Sequence, residues 1–229
     1  RPMVEQGYSV VIFPEGTRSE TGYINRFHKG AFFLAEKLGL DILPVITHGI
    51  GFALPKSELI LRKSNVTVKI LERISPSDNQ YGVDYVERSK QIRKLFKAEY
   101  QKLCVENETP DYYSNLVIHN YIYKGASIEK EARTTLKKNG NFSSVISQLP
   151  VSGKVIVMNC GIGVFPLMLA LVKKGLQVVA YDESEENITL ARNCRSVPEN
   201  LNYTLELPFN IDQSKQLLTI DEMKIYVSE

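Results

Sequence analysis

A chain of 229 residues, 43% hydrophobic and 24% charged, has the composition of an ordinary globular protein and room for one large domain or two small ones. Its 28 lysines and arginines against 26 acids leave a net charge of +2, which excludes a global electrostatic case for nucleic-acid binding. Three separated cysteines, Cys104, Cys160 and Cys194, offer neither a disulfide framework nor paired metal-ligand spacing, so no metal is expected and a reducing compartment suits the chain.

The chain opens at Arg1 with no signal-like segment, and the expectation is a piece of a longer polypeptide. Residues 8 to 13 are a short apolar run stopped by Pro14, the pattern of a buried strand in a parallel sheet. A polar, glycine-bearing loop follows from Glu15 to Arg26. Ala31, Phe32, Leu34, Ala35 and Leu38 then recur at helical spacing, and Gly39 is a natural stop. Ile42 to Thr47, interrupted by Pro44, reads as a second buried strand. Residues 59–61 and 66–70 read as a hairpin around Ser64-Asn65.

From Asp84 to about Leu103 the pattern is again helical. Tyr85, Ile92, Phe96, Tyr100 and Leu103 share one side, and six lysines and arginines crowd the others. A stripe that covers the sheet, with a solvated basic face, is the favoured reading. A basic helix lying on an anionic membrane is the alternative. Glu106 to Ser114 is the best linker candidate, and Ser127 to Lys138 a helix ended by Asn139-Gly140. After Pro150 a new alternation begins: strand 154–158, helix 164–174, strand 177–181, helix 184–194, strand 201–205 and strand 223–227. Val155 to Val172 lacks any charged residue, but Asn159, Gly161, Gly163 and Pro166 interrupt it, so strand, turn and helix are expected rather than a membrane span.

The chemistry concentrates in Phe13-Pro14-Glu15-Gly16-Thr17-Arg18-Ser19. Gly16 permits close backbone approach, Thr17 and Ser19 supply hydroxyls, and Arg18 a fork that fits phosphate. Glu15 either holds Arg18 or accepts from a substrate hydroxyl. Lys29, at the start of the next helix, brings a second cation towards the same anion. A plain Glu15–Arg18 pair across a turn is the structural alternative.

Phe13 to Ser19, then Phe27-His28-Lys29-Gly30-Ala31, then Ile42 to Thr47, in this order, resemble the third and fourth sequence blocks of the lysophosphatidate acyltransferase family. The resemblance runs through Leu54-Pro55-Lys56 to about residue 75. It implies an enzyme that moves a fatty acyl group from an acyl thioester, coenzyme A or carrier protein, to a hydroxyl of a phosphate-bearing acceptor, without a further cofactor. It further implies acceptor phosphate at Glu15, Gly16, Thr17, Arg18, Ser19 and Lys29, an acyl or acceptor pocket at Pro44, and a cytoplasmic location at the inner face of the membrane. The family's catalytic His-x-x-x-x-Asp is absent. Five residues beyond His28, His48 and His119 stand Phe33, Ala53 and Lys124. The general base is therefore expected upstream of this chain, and the chain alone to be inactive.

In the second half, strand 154–158, the turn through Gly161 and Gly163, a helix, a strand and Asp182 follow the pattern in which a glycine turn meets a cofactor and an acid takes ribose hydroxyls. Val155 to Arg192 resembles the first motifs of class I S-adenosylmethionine-dependent methyltransferases, as in domains fused behind acyltransferases in large bacterial proteins. That resemblance implies S-adenosylmethionine at Gly161, Gly163 and Asp182, although Val157 and Asn159 depart from the usual acid and glycine. The resulting reading is α/β throughout. A partial acyltransferase domain spans 1–108, linker and leader helices 109–149, and a partial Rossmann-like, methyltransferase-type unit 150–229. The alternatives are a methyltransferase, or a non-catalytic module that binds lipid headgroups.

Overall fold

Helices form where apolar residues recur every three or four positions, and strands where they alternate or run together. The computed structural model describes residues 2–19, 22–56, 61–195, 197–207 and 216–228. They fall into two compact units, Arg1–Asn107 and Glu108–Glu229, and the whole is mixed α/β.

The first unit contains α1 (Pro2–Glu5), α2 (Gly30–Leu38), β1 (Val45–His48), α3 (Ile50–Ala53), β2 (Thr67–Ile70) and α4 (Tyr85–Asn107). Gly39 ends α2 in the left-handed conformation, its N–H turned back onto the last carbonyls. The core is small. Phe27, Phe32, Ile74 and Ile92 are buried together, with Phe96 packed edge-on to Phe27 at 5.1 Å between ring centres. Helix α4 buries Ile92, Leu103 and Cys104 and packs on α2 and β1, so its apolar stripe faces the core. Glu99 on α4 accepts from Lys69 of β2 at 2.7 Å and from Lys102, bonds that hold its carboxyl below the ordinary range.

Two expectations fail in this unit. Residues 8–13 form no strand and lie exposed, Val11 and Phe13 at 82%. A continuous apolar run encodes a buried strand only where neighbours supply hydrogen bonds on both edges, and no described strand pairs with this one. The expected strand 42–47 is shortened to Val45–His48, with Ile42 reduced to a single bridge to Ile74, and its outward residues Leu43 and Val45 are exposed. The hairpin expected around Ser64-Asn65 rests in part on residues 59 and 60. Residues 67–70 pair antiparallel with β1, Val45 opposite Ile70 and His48 opposite Thr67, while residues 59 and 60 lie outside the described residues.

Arg88, near the start of α4, is buried without a carboxylate partner. Its guanidinium donates to the carbonyls of Ser75, Pro76, Asp78 and Gly82, gathering the loop that leads into α4. The Ser75 carbonyl also accepts from Asp78 N–H at 3.1 Å, and the cation ties the remainder of this irregular loop together.

The second unit begins in helices: α5 (Pro110–His119), α6 (Ala126–Lys138) and α7 (Ser143–Gln148). The expected linker is thus largely α5, capped by the Thr109 hydroxyl with Pro110 at its first turn. Next come β3 (Ser152–Met158), α8 (Val164–Val172), β4 (Gly175–Tyr181), α9 (Glu185–Arg192), β5 (Leu201–Thr204), β6 (Gln216–Ile220) and β7 (Met223–Ser228). The sheet order is β5-β4-β3-β7-β6, with β3, β4 and β5 parallel. Strand β7 runs antiparallel to β3 and closes a hairpin with β6, so the sheet is mixed. Val164 to Ala170 of α8 are all buried. The uncharged stretch 155–172 accordingly resolves into strand, turn and core helix. Among the described residues, no helix is long and apolar enough to cross a membrane.

Replacing Arg88 with alanine is expected to remove the donor these carbonyls share and to lower stability by roughly 2–3 kcal/mol in urea unfolding.

Candidate functional site

The turn after Phe13 is built by short-range bonds: Gly16 N–H donates to the Phe13 carbonyl at 3.0 Å and His28 N–H to that of Pro14 at 2.7 Å. Gly16 has φ of +70°, a conformation that favours glycine. A methyl group placed on it would lie 3.0 Å from His28 Cδ2 and 3.1 Å from Nε2. The close approach that Gly16 permits here is that of the His28 imidazole.

The charged members of the block do not pair with each other. Glu15 Oε2 accepts from the backbone N–H of Asn25 at 2.8 Å. Arg18 Nη1 donates to the carbonyls of Leu54 and Pro55 at 3.0 and 3.2 Å. The Asn25 carbonyl is held as well, by Arg93 Nε of α4 at 2.6 Å. Asn25 therefore sits in a clamp, with a carboxylate on its N–H and a guanidinium on its carbonyl, each a charge-assisted bond.

Beyond the clamp, the chain alternates. Phe27 turns into the core and is 4% exposed, while Arg26 and His28 on either side of it are exposed. Lys29 follows as the residue preceding α2, whose N-terminus has no side-chain cap. Among the described residues, Arg26, Phe27, His28 and Lys29 line a cleft of about 380 Å³. An apolar floor with two cations and an imidazole suits an anion.

Of the sequence-predicted residues, Lys29 lines this cleft, and Gly16 borders it through His28. Glu15 and Arg18 act one step back, on the loops at 25 and at 54–55. Thr17 is exposed and Ser19 half-buried; neither lines the cleft. Pro44 is buried just before β1, its carbonyl accepting from Leu71 N–H, and lies outside the lining. Arg26 and Arg93 were not among the candidates. The alternation about Phe27 was available as a signal for Arg26, and nothing local marks Arg93.

In the second unit the turn between β3 and α8 is held from three sides. Asp182 Oδ2 accepts from Gly161 N–H at 2.7 Å, and its Oδ1 accepts from Ser184 N–H and Asn187 Nδ2. Tyr121 and Tyr203 donate their hydroxyls to the carbonyls of Ile162 and Gly163, both at 3.0 Å, and burial pushes both phenols above their ordinary range. Cys160 is buried beside them, its thiol pushed up to about 12 by burial and then by the Asp182 charge. A methyl on Gly163 would come within 2.8 Å of Ala191 and the Tyr203 ring. A cleft of about 540 Å³ lies against Gly161, between α6 and the β6–β7 turn. Gly163 and Asp182 do not line it; they brace the turn from within.

The comparisons with known proteins bear on the first unit. The model of the family described as Acyltransferase matches residues 1–48. Over 76 residues, 33% of this chain and 21% of that protein, the chain is 43% identical to 1-acyl-sn-glycerol-3-phosphate acyltransferase LPAT1, chloroplastic, of Arabidopsis thaliana. It is 36% identical over 75 residues to the human 1-acyl-sn-glycerol-3-phosphate acyltransferase beta, covering 33% of this chain and 27% of that protein. A putative enzyme of the same name from Caenorhabditis elegans, acl-1, is 31% identical over 104 residues, 45% of this chain and 38% of that protein. The chain thus spans about a fifth to two fifths of the length of these curated relatives. No solved structure matches. Residues 1–48, the stretch that matches the Acyltransferase model, contain the Gly16 turn, the Asn25 clamp point and the cationic cleft.

Gly16→Ala is expected to cost roughly 1–2 kcal/mol in thermal unfolding, from the left-handed backbone and the displaced imidazole together. Adding His28→Ala should recover the steric part only. Full recovery would mean the backbone conformation imposes nothing.

Proposed function

We propose that this chain supplies the acceptor-binding part of a phospholipid-type acyltransferase. The acyl group passes from an acyl thioester, of coenzyme A or a carrier protein, to a hydroxyl of a glycerol acceptor that bears a phosphate. The observation that carries the reading is the cationic cleft of Arg26, His28 and Lys29 set against the Gly16 turn, within the segment that matches the acyltransferase family. The relatives' names give the acceptor as a 1-acylglycerol 3-phosphate, whose phosphate is the anion such a cleft fits.

In this reading the cleft seats the phosphate, with Lys29 and the uncapped start of α2 beside it. Glu15 and Arg18 act by bracing the loops around the cleft, and Arg18's remaining donors are available to the same phosphate. Binding energy at the phosphate orients the hydroxyl for attack on the thioester. The attacking hydroxyl needs a base, and no histidine among the 229 residues has an aspartate five positions on. Acyl transfer therefore draws on a His-x-x-x-x-Asp segment supplied from outside these residues. The chemistry calls for no cofactor beyond the acyl donor. A lipid acceptor brings the cleft close to a membrane surface.

The chain as given should bind a short-chain lysophosphatidate, with Lys29→Gln weakening it about tenfold or more in calorimetry, and should form no phosphatidate from acyl-coenzyme A. Acyl transfer by the chain alone would contradict the assignment of the base; binding unaffected by Lys29→Gln would contradict the cleft.

A further inference from the structure

We infer that Arg26 is a second phosphate-binding cation, and that with Lys29 it makes the cleft selective for a doubly ionised phosphomonoester over a phosphodiester. The inference rests on the phosphate-acceptor reading and adds to it a residue and a ligand charge state.

Three observations support it. Arg26 and Lys29 both line the cleft and stand three positions apart, with the buried Phe27 fixing the segment between them. The residue immediately before Arg26 is the clamped one: the Asn25 N–H is held by Glu15, and the Asn25 carbonyl, which belongs to the peptide joining it to Arg26, by Arg93. An arginine mounted on a fixed backbone loses less freedom on binding than one on a loose loop, which raises its contribution. Finally, the arginine of the signature turn is already committed in part, since Arg18 Nη1 donates to the Leu54 and Pro55 carbonyls. A phosphomonoester carries close to two negative charges at neutral pH, with its second ionisation at about pH 6, whereas a diester carries one. One free lysine suffices for the diester. The dianion calls for a second cation, and a planar guanidinium takes two of its oxygens at once.

The test is calorimetric titration of the 229-residue chain with sn-glycerol 3-phosphate and, separately, with sn-glycero-3-phosphocholine. The wild type should prefer the monoester, and the preference should shrink as pH falls through about 6. Arg26→Gln should weaken monoester binding about tenfold or more while changing the diester by only a few fold, and Arg26→Lys should restore part of the loss. Unchanged monoester affinity in Arg26→Gln, with loss in Lys29→Gln, would overturn the role of Arg26 and leave the phosphate cleft standing. Equal loss of both ligands in Arg26→Gln would overturn the charge-matching claim. If the wild type binds neither probe at millimolar concentration, the phosphate reading beneath the inference falls with it.

Discussion

The first unit depends on the clamp around Asn25. Its N–H lies 2.8 Å from a Glu15 carboxylate oxygen and its carbonyl 2.6 Å from Arg93 Nε. One residue, through the peptides on its two sides, thereby joins the glycine turn, the loop before α2 and the long helix α4. Without it, residues 22–29 would be a largely polar loop held by the packing of Ile24 and Phe27 and by the His28 N–H. With it, the side chains after Asn25 leave a fixed backbone, and the alternation of exposed Arg26, buried Phe27 and exposed His28 becomes a surface with a defined charge. Such bonds to charged groups are each worth about 1.5–3 kcal/mol, enough to order a short loop. The charges of Glu15 and Arg93 are spent on this loop, while Arg26 and Lys29 line the cleft.

The local chemistry was legible because it is local. The turn residues, the helix start at Lys29 and the helix stop at Gly39 follow from side-chain and backbone rules that operate over a few positions. The partners were not. Glu15 reaches Asn25 rather than Arg18, Arg18 reaches residues 36 and 37 positions on, and Arg93 reaches back 68. No spacing rule covers such distances. Residues 8–13 show the converse failure. Their composition signals burial, but a strand exists only with partners, and in the described structure the β1–β2 pair leaves this run outside.

In the second unit the succession strand, turn, helix, strand, helix, strand is readable because each element has its own periodicity. The antiparallel return of β7 is not, since it is set by a turn at Asp221 whose positive φ carries no glycine signal. The glycine turn meets its expected neighbour, Asp182, but on the inside. The carboxylate serves Gly161, Ser184 and Asn187, and two buried tyrosines hold the next two carbonyls. The same residues that suggest a cofactor turn thus provide its rigidity, and the open cleft lies to the other side of Gly161, towards α6 and the hairpin.

The most direct measurement of the central claim is hydrogen exchange at the Asn25 amide by NMR, in the wild type, in Glu15→Gln, in Arg93→Ala and in the double variant. A clamp predicts an amide that exchanges slowly in the wild type and quickly in either single variant, with the double variant little faster than the singles, because Asn25 is held only while both of its flanking peptides are. Rapid exchange in the wild type, or fully additive effects of the two substitutions, would show that Asn25 is not held in this way and that the cleft has no fixed base.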